Sequence, residues 1–142
     1  LRFESDGGWL VLLAMVVTFG SDTGAYFSGR FLGRHKLYPS VSPNKTIEGA
    51  IGGMVTAVGL TFVMAAYVPS LTNLTIGDCI ILGIAGSALA ITGDLVESLM
   101  KRSFDVKDSG DLIPGHGGIL DRIDALLFCG PFVWMYWEHF VK

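Results

Sequence analysis

The chain has 142 residues, 51% of them hydrophobic and 16% charged, with a mean hydropathy of +0.54. Charged residues make up about a quarter of an average soluble domain; here they fall well short and the apolar excess lies in long runs, which excludes an ordinary water-soluble class and makes lipid the expected solvent. The net charge of -3 excludes a general attraction to nucleic acid and leaves phosphate binding to local clusters of Lys and Arg.

The first residues carry Glu4 and Asp6 and lack the basic start of a secretory signal. With no initiating Met, the chain is expected to be a piece of a longer protein. A first helix is predicted over 9–27. At about 1.5 Å of rise per residue it crosses the hydrocarbon only if Asp22 lies near an interface or a protein-lined cavity. Ser21-Asp22-Thr23-Gly24 interrupts its apolar run, and an ionisable group there points to function. A second helix is predicted over 47–68, where Gly49, Ala50, Gly52, Gly53, Ala57 and Gly59 permit close helix contact. Ser42 or Thr46 is its candidate N-cap, and Glu48 occupies its first turn.

Pro69, Ser70 and Asn73 make a turn into a third helix over 76–100. Asp78 sits near its start, where a carboxylate suits the helix dipole. Asp94 and Glu97, three apart, share a face near its end. A fourth helix, over 123–141, contains Pro131, an expected kink, and ends in the aromatic belt of Trp134, Tyr136 and Trp137. His35 reads as a basic loop residue and His139 as an interfacial one. The fold class expected is all-α: a polytopic membrane protein with about four transmembrane helices, one domain over 1–142, and loops that form the site.

Arg30, Arg34, Lys36 and Lys45 lie between the first two helices; Lys101, Arg102, Lys107 and Arg122 lie between the last two. Four crossings bring these two basic loops to the same side, and the positive-inside rule makes that side cytoplasmic. Cys79 and Cys129 have no CxxC or His-rich neighbourhood and read as small buried thiols.

Four groups of residues can carry chemistry. Asp94 and Glu97, with the equally spaced Asp121 and Asp124, offer hard oxygen ligands from two helices, the donors that Mg²⁺ uses beside substrate phosphates. The plainer alternative makes Asp121 a helix N-cap and Asp94 a partner of Lys101 or Arg102. Lys101, Arg102, Lys107, His116 and Arg122 can hold phosphate oxygens, or simply orient the loop against anionic lipid. Pro114-Gly115-His116-Gly117-Gly118 is a turn whose glycines let backbone approach a ligand. Lys45, beside the start of the second helix, can receive phosphate there. Asp22 and Thr23 can line a polar cavity.

The run from Ser98 to Asp124 closely resembles the signature of the phosphatidate cytidylyltransferases, the CDP-diacylglycerol synthases. It does so through Ser98, Lys101-Arg102, Lys107-Asp108, Gly110, Pro114, His116-Gly117-Gly118, Asp121-Arg122 and Asp124. Ser21-Asp22-Thr23-Gly24-Ala25-Tyr26 and Ser42-Pro43-Asn44-Lys45-Thr46-Ile47-Glu48-Gly49 extend the resemblance over most of the chain. It implies transfer of the cytidylyl group of CTP to phosphatidic acid, giving CDP-diacylglycerol and pyrophosphate. The chain would form the C-terminal catalytic half of a homodimeric enzyme of the bacterial inner membrane, with its site facing the cytoplasm.

The resemblance further implies Mg²⁺, with room for a second cation such as K⁺, at Asp94, Asp121, Asp124 and Glu97. Lys101, Arg102 and Arg122 join the aspartates as catalytic residues. Asp22, Ser42, Lys45, Thr46, Lys107, Asp108, His116, Gly117 and Gly118 are expected to bind substrate.

Two other classes compete with this expectation. Asp22, Asp94 and Glu97 suit the ion path of a transporter or channel fragment, although charge crowded into 98–124 lies outside the spans, where a pore has little use for it. A non-catalytic lipid-binding subunit is the third class, and CTP-dependent turnover excludes it.

Overall fold

The computed structural model describes residues 7–103 and 120–142, apart from the side chains of Leu120, Asp121 and Arg122. Four helices account for nearly all of it: α1 (Gly7–Leu32), α2 (Ile47–Tyr67), α3 (Ile76–Ser103) and α4 (Leu120–Tyr136). Each packs on its neighbour in sequence, most extensively α1 on α2, and α4 returns to α1, so the helices close into a bundle. α1, α2 and α3 are each long and apolar enough to cross a membrane. α4 continues through a π-helical turn at Trp137–Val141. The molecule is a polytopic, helical membrane protein.

The surface of the bundle has the polarity that lipid requires. Tyr67, Ile76, Val55 and Ile51 are 81%, 71%, 67% and 57% exposed. The interior holds Leu10, Leu13 and Val17 of α1, Leu82 of α3, and Cys129 and Val133 of α4. Both cysteines are buried and unoxidised, as expected from their neighbourhoods. Hydroxyls inside the bundle bond to their own helices, Thr18 Oγ1 to the Ala14 carbonyl at 2.8 Å and Thr61 Oγ1 to the Ala57 carbonyl at 2.9 Å. This satisfies polar groups where no water is available.

The small residues of α2 do what their spacing predicts. A Cβ placed on Gly53 would come within 2.7 Å of the Ser21 carbonyl oxygen of α1. The two backbones therefore touch, and van der Waals packing can replace the hydrophobic drive that lipid does not supply.

Two departures from the sequence reading concern the charged end. α1 continues to Leu32 and α3 to Ser103, beyond the expected 27 and 100, and carry Arg30, Lys101 and Arg102 on helix rather than loop. The loop after α1 also contains a short antiparallel hairpin. Its strands are β1 (Lys36–Tyr38) and β2 (Ser42–Thr46), with Lys36 opposite Thr46 and Tyr38 opposite Ser42. The hairpin delivers the chain directly into α2: the Ile47 amide donates to the His35 carbonyl at 2.9 Å. Of the two candidate caps, Thr46 is the one used, its Oγ1 accepting from the Gly49 amide at 3.1 Å. Glu48, in the first turn, reaches back to His35 Nδ1 at 2.7 Å and to the Arg34 amide at 3.1 Å. His35 is thus a hairpin anchor as well as a basic loop residue.

At the opposite end of the bundle, Thr75 and Asp78 cap α3 reciprocally. Thr75 Oγ1 and the Thr75 amide both donate to Asp78 Oδ2, at 2.7 and 2.8 Å, and the Asp78 amide donates to Thr75 Oγ1 at 3.2 Å. The other carboxylate oxygen, Oδ1, accepts from the Tyr136 hydroxyl of α4 at 2.7 Å.

Candidate active site

The helical periodicity of α3 places Asp94 and Glu97 on the face that meets α4, and α4 supplies Asp124. One carboxylate oxygen from each of the three lies within 4.8 Å of the others. Glu97 is 5% and Asp124 9% exposed, so this negative charge is withdrawn from solvent. The close approach of the helices has a local cause. A Cβ on Gly93 would come within 2.7 Å of the Asp124 carbonyl oxygen and 3.1 Å of Ala125 Cα. Only the missing side chain lets α4 bring Asp124 against α3.

Cations surround the cluster. Lys45, the second-to-last residue of β2, is ion-paired with Asp94. Lys101 Nζ lies 3.3 Å from Glu97 Oε2 one turn along α3, and Ser98 Oγ donates to Asp94 Oδ1 at 3.4 Å. The partner of Asp94 is therefore neither Lys101 nor Arg102, as the plainer sequence alternative had it. Arg102 Nε instead donates to the Val41 carbonyl at 2.7 Å, tying the end of α3 to the hairpin.

Asp94 also stands on the wall of a cleft of about 470 Å³ between α1, the hairpin, α2 and α3. Asp22, Lys45 and Thr46 line it, as do Tyr26, Arg30 and Asn44. The structure thus unites Asp22, Lys45, Thr46 and Asp94 at one cleft, and Asp94, Glu97 and Asp124 at one cluster, with Asp94 common to both. Ser42 lies on β2 opposite Tyr38 and is not among the residues lining the cleft. Asp121 and Arg122 begin α4 three and two residues before Asp124; their side chains lie outside the described residues. Lys107, Asp108, His116, Gly117 and Gly118 lie outside the described residues altogether.

Tyr26 and Arg30 were absent from the sequence-based site. Arg30 Nη1 donates to the Tyr26 hydroxyl at 2.8 Å. The signal was available: positions 22, 26 and 30 repeat every fourth residue and so continue one helix face from Asp22.

The donor set suits a hard divalent cation. Three carboxylates from two helices, all oxygen donors in a nearly dry setting, match the ligand chemistry of Mg²⁺ or Ca²⁺ and not that of a soft metal. Two of the three donors also neighbour a lysine, Asp94 through Lys45 and Glu97 through Lys101, so anionic substrate oxygens and a cation can share the same few ångströms.

The profile of the cytidylyltransferase family matches residues 1–140. The chain belongs to this family. It is 49% identical over 128 residues to a phosphatidate cytidylyltransferase of Staphylococcus haemolyticus, covering 90% of this chain and 48% of that protein. It is 46% identical over 140 residues to the phosphatidate cytidylyltransferase of Haemophilus influenzae, covering 95% and 47%, and 47% identical over 135 residues to that of Bacillus subtilis, covering 94% and 49%. The chain spans about half the length of the curated relatives it matches. Membership of a nucleotidyl-transferring family also removes the transporter fragment as a competing class.

Proposed function

We propose that the chain carries the catalytic site of a phosphatidate cytidylyltransferase, transferring the cytidylyl group of CTP to phosphatidic acid with release of pyrophosphate. The observation that carries this reading is the position of the carboxylate cluster: it lies beside a lysine-bearing cleft at one end of a bundle whose sides are apolar. One substrate is a polyanion in water and the other keeps its acyl chains in the bilayer. A site of this chemistry must stand where the two solvents meet, here at the cytoplasmic face of the bacterial inner membrane.

The reaction forms a bond from a phosphate oxygen of phosphatidic acid to the α-phosphorus of CTP and breaks the bond from that phosphorus to the bridging oxygen of the β-phosphate. The attacking oxygen is already anionic at neutral pH, so the step needs no general base. Positioning and charge neutralisation are what the protein must supply. Asp94, Glu97 and Asp124, together with Asp121, would hold Mg²⁺, with K⁺ as a candidate second cation, and the bound ion would neutralise charge on the triphosphate. Lys45 and Lys101 stand ready to exchange their carboxylate partners for phosphate oxygens. Arg102 keeps the hairpin, and with it Lys45, against the end of α3, while Arg122, Lys107 and His116 complete the phosphate-binding set in this reading. The working assembly is a homodimer of single transmembrane catalytic domains.

The test is Mg²⁺-dependent incorporation of labelled CTP into phosphatidic acid by the purified protein in detergent, with Asp94→Asn and Asp121→Ala beside the unaltered sequence. Lipid-linked CMP from the unaltered protein and its loss in both variants is the expected result. A folded protein that forms no lipid-linked product with any phosphatidic acid or divalent cation would overturn the assignment.

A further inference from the structure

A second concavity lies on the other side of the bundle from the hairpin. It is an apolar groove of about 530 Å³ between α1 and α4, formed by Val11 and Ala14 of α1 with Ile123, Leu127, Gly130 and Trp134 among the α4 residues. Ile123 adjoins Asp124 of the carboxylate cluster, and Trp134 lies at the far end. Along α4, the distance from Asp124 to Gly130 is about 9 Å and to Trp134 about 15 Å, at roughly 1.5 Å per residue. Gly130 keeps the middle of the groove open: a Cβ added there would meet nothing within 4 Å.

We propose that this groove receives one acyl chain of the diacyl phosphate substrate, whose phosphate is held at the Asp124 end. The proposal rests on the catalytic reading above. Three features favour an acyl chain as occupant. The groove is continuous with the site through the adjacent pair Ile123 and Asp124. It lies along membrane-embedded helices, where hydrocarbon is the surrounding medium. Its walls are entirely apolar or glycine and proline, with no polar side chain to seek a partner on another helix.

A carbon–carbon bond of about 1.5 Å in an extended zigzag advances roughly 1.25 Å, so a six-carbon chain anchored at Asp124 reaches about 7 Å and stops before Gly130. A sixteen-carbon chain runs past Gly130 and Trp134. The groove therefore has a length threshold, set near the seventh or eighth carbon. An acyl chain outside the groove still lies in hydrocarbon, so occupancy gains close packing rather than removal from water, and its contribution is correspondingly modest.

The experiment compares dihexanoyl and dipalmitoyl phosphatidic acids as substrates in mixed detergent micelles, for the unaltered protein, Gly130→Leu and Gly130→Ala. Gly130→Leu fills the groove and should lower kcat/KM for the dipalmitoyl substrate by about three- to tenfold, the scale expected of lost packing contacts. Turnover of the dihexanoyl substrate and KM for CTP should not change. Gly130→Ala should act in the same direction and more weakly, and it carries the comparison if the larger side chain prevents folding. Equal losses on both lipids would assign the groove to contact with another protein segment and overturn the proposal. An unchanged chain-length dependence in active variants would overturn it as well. Absence of turnover on either lipid by the unaltered protein retires the catalytic reading, and the groove proposal with it.

Discussion

Lys45 at the end of the hairpin is ion-paired with Asp94 on α3, so a cation from the protein itself sits on a carboxylate that the cluster would offer to a metal. Binding a divalent ion at Asp94 must displace the ammonium, which is then free for a substrate phosphate. The two events are coupled through one oxygen pair. Lys45→Met should therefore tighten divalent-cation binding in the absence of nucleotide and raise KM for CTP by about tenfold or more, the scale of a lost charge-assisted hydrogen bond. Calorimetric titration of the cation together with steady-state kinetics reads both effects. Unchanged KM for CTP would confine Lys45 to a structural role.

Gly93 makes a different kind of contribution, since it acts through the absence of a side chain. Gly93→Ala must push α4 away from α3 where Asp124 joins the cluster. Turnover should fall by tenfold or more, because small displacements in a site that works by positioning are costly, and the melting temperature should fall with it. Gly59→Ala is the control: its Cβ meets nothing within 4 Å, and alanine is about 1 kcal/mol better than glycine inside a helix. It should leave activity intact.

Thr46 closes the hairpin and starts α2 with one hydroxyl. Thr46→Ala should cost about 1 kcal/mol of stability, the usual contribution of an N-cap, and Thr46→Ser should retain most of it. Thermal unfolding of the three proteins in one detergent provides the comparison. Equal stability of the alanine and serine variants would show that the hydrogen bond to Gly49 contributes little.

The bond from Arg102 to the Val41 carbonyl predicts a local effect. Arg102→Ala should raise amide hydrogen exchange across residues 36–46 while leaving α1 and α2 protected, because the hairpin then loses its tie to α3. If exchange in the hairpin is unaltered, Arg102 does not hold it, and its contribution is confined to substrate.

The helices were legible because each is a long apolar run bounded by polar turns, and the shared face of Asp94 and Glu97 followed from their spacing alone. The hairpin was not. Its strands have three and five residues, and the second contains Pro43 and Asn44, both poor strand formers, so no alternating pattern announces it. The pairing of Lys45 with Asp94 was hidden for a related reason: it depends on where the hairpin deposits Lys45, and local sequence carries no record of that distance. Sequence spacing favoured Lys101 as the nearest cation to Asp94, and the helix rotation gave Lys101 to Glu97 instead. Arg30 and Tyr26 were overlooked because the helix was expected to end at 27, which left Arg30 in a loop and off the face that Asp22 begins.

Asp78 and Tyr136 bear on how such a chain enters a bilayer. Every hydrogen bond that holds the Asp78 carboxylate comes from Thr75 or Tyr136, one just before α3 and the other at the end of α4. The helical pair thus brings its own partners for the charge it carries across the membrane. During biogenesis α3 and α4 can partition together as a hairpin with that carboxylate already shielded, whereas α3 released alone would expose it to lipid. A nascent chain stalled before Tyr136 emerges would lack that shield, which makes the last helix a checkpoint for integration of the one before it.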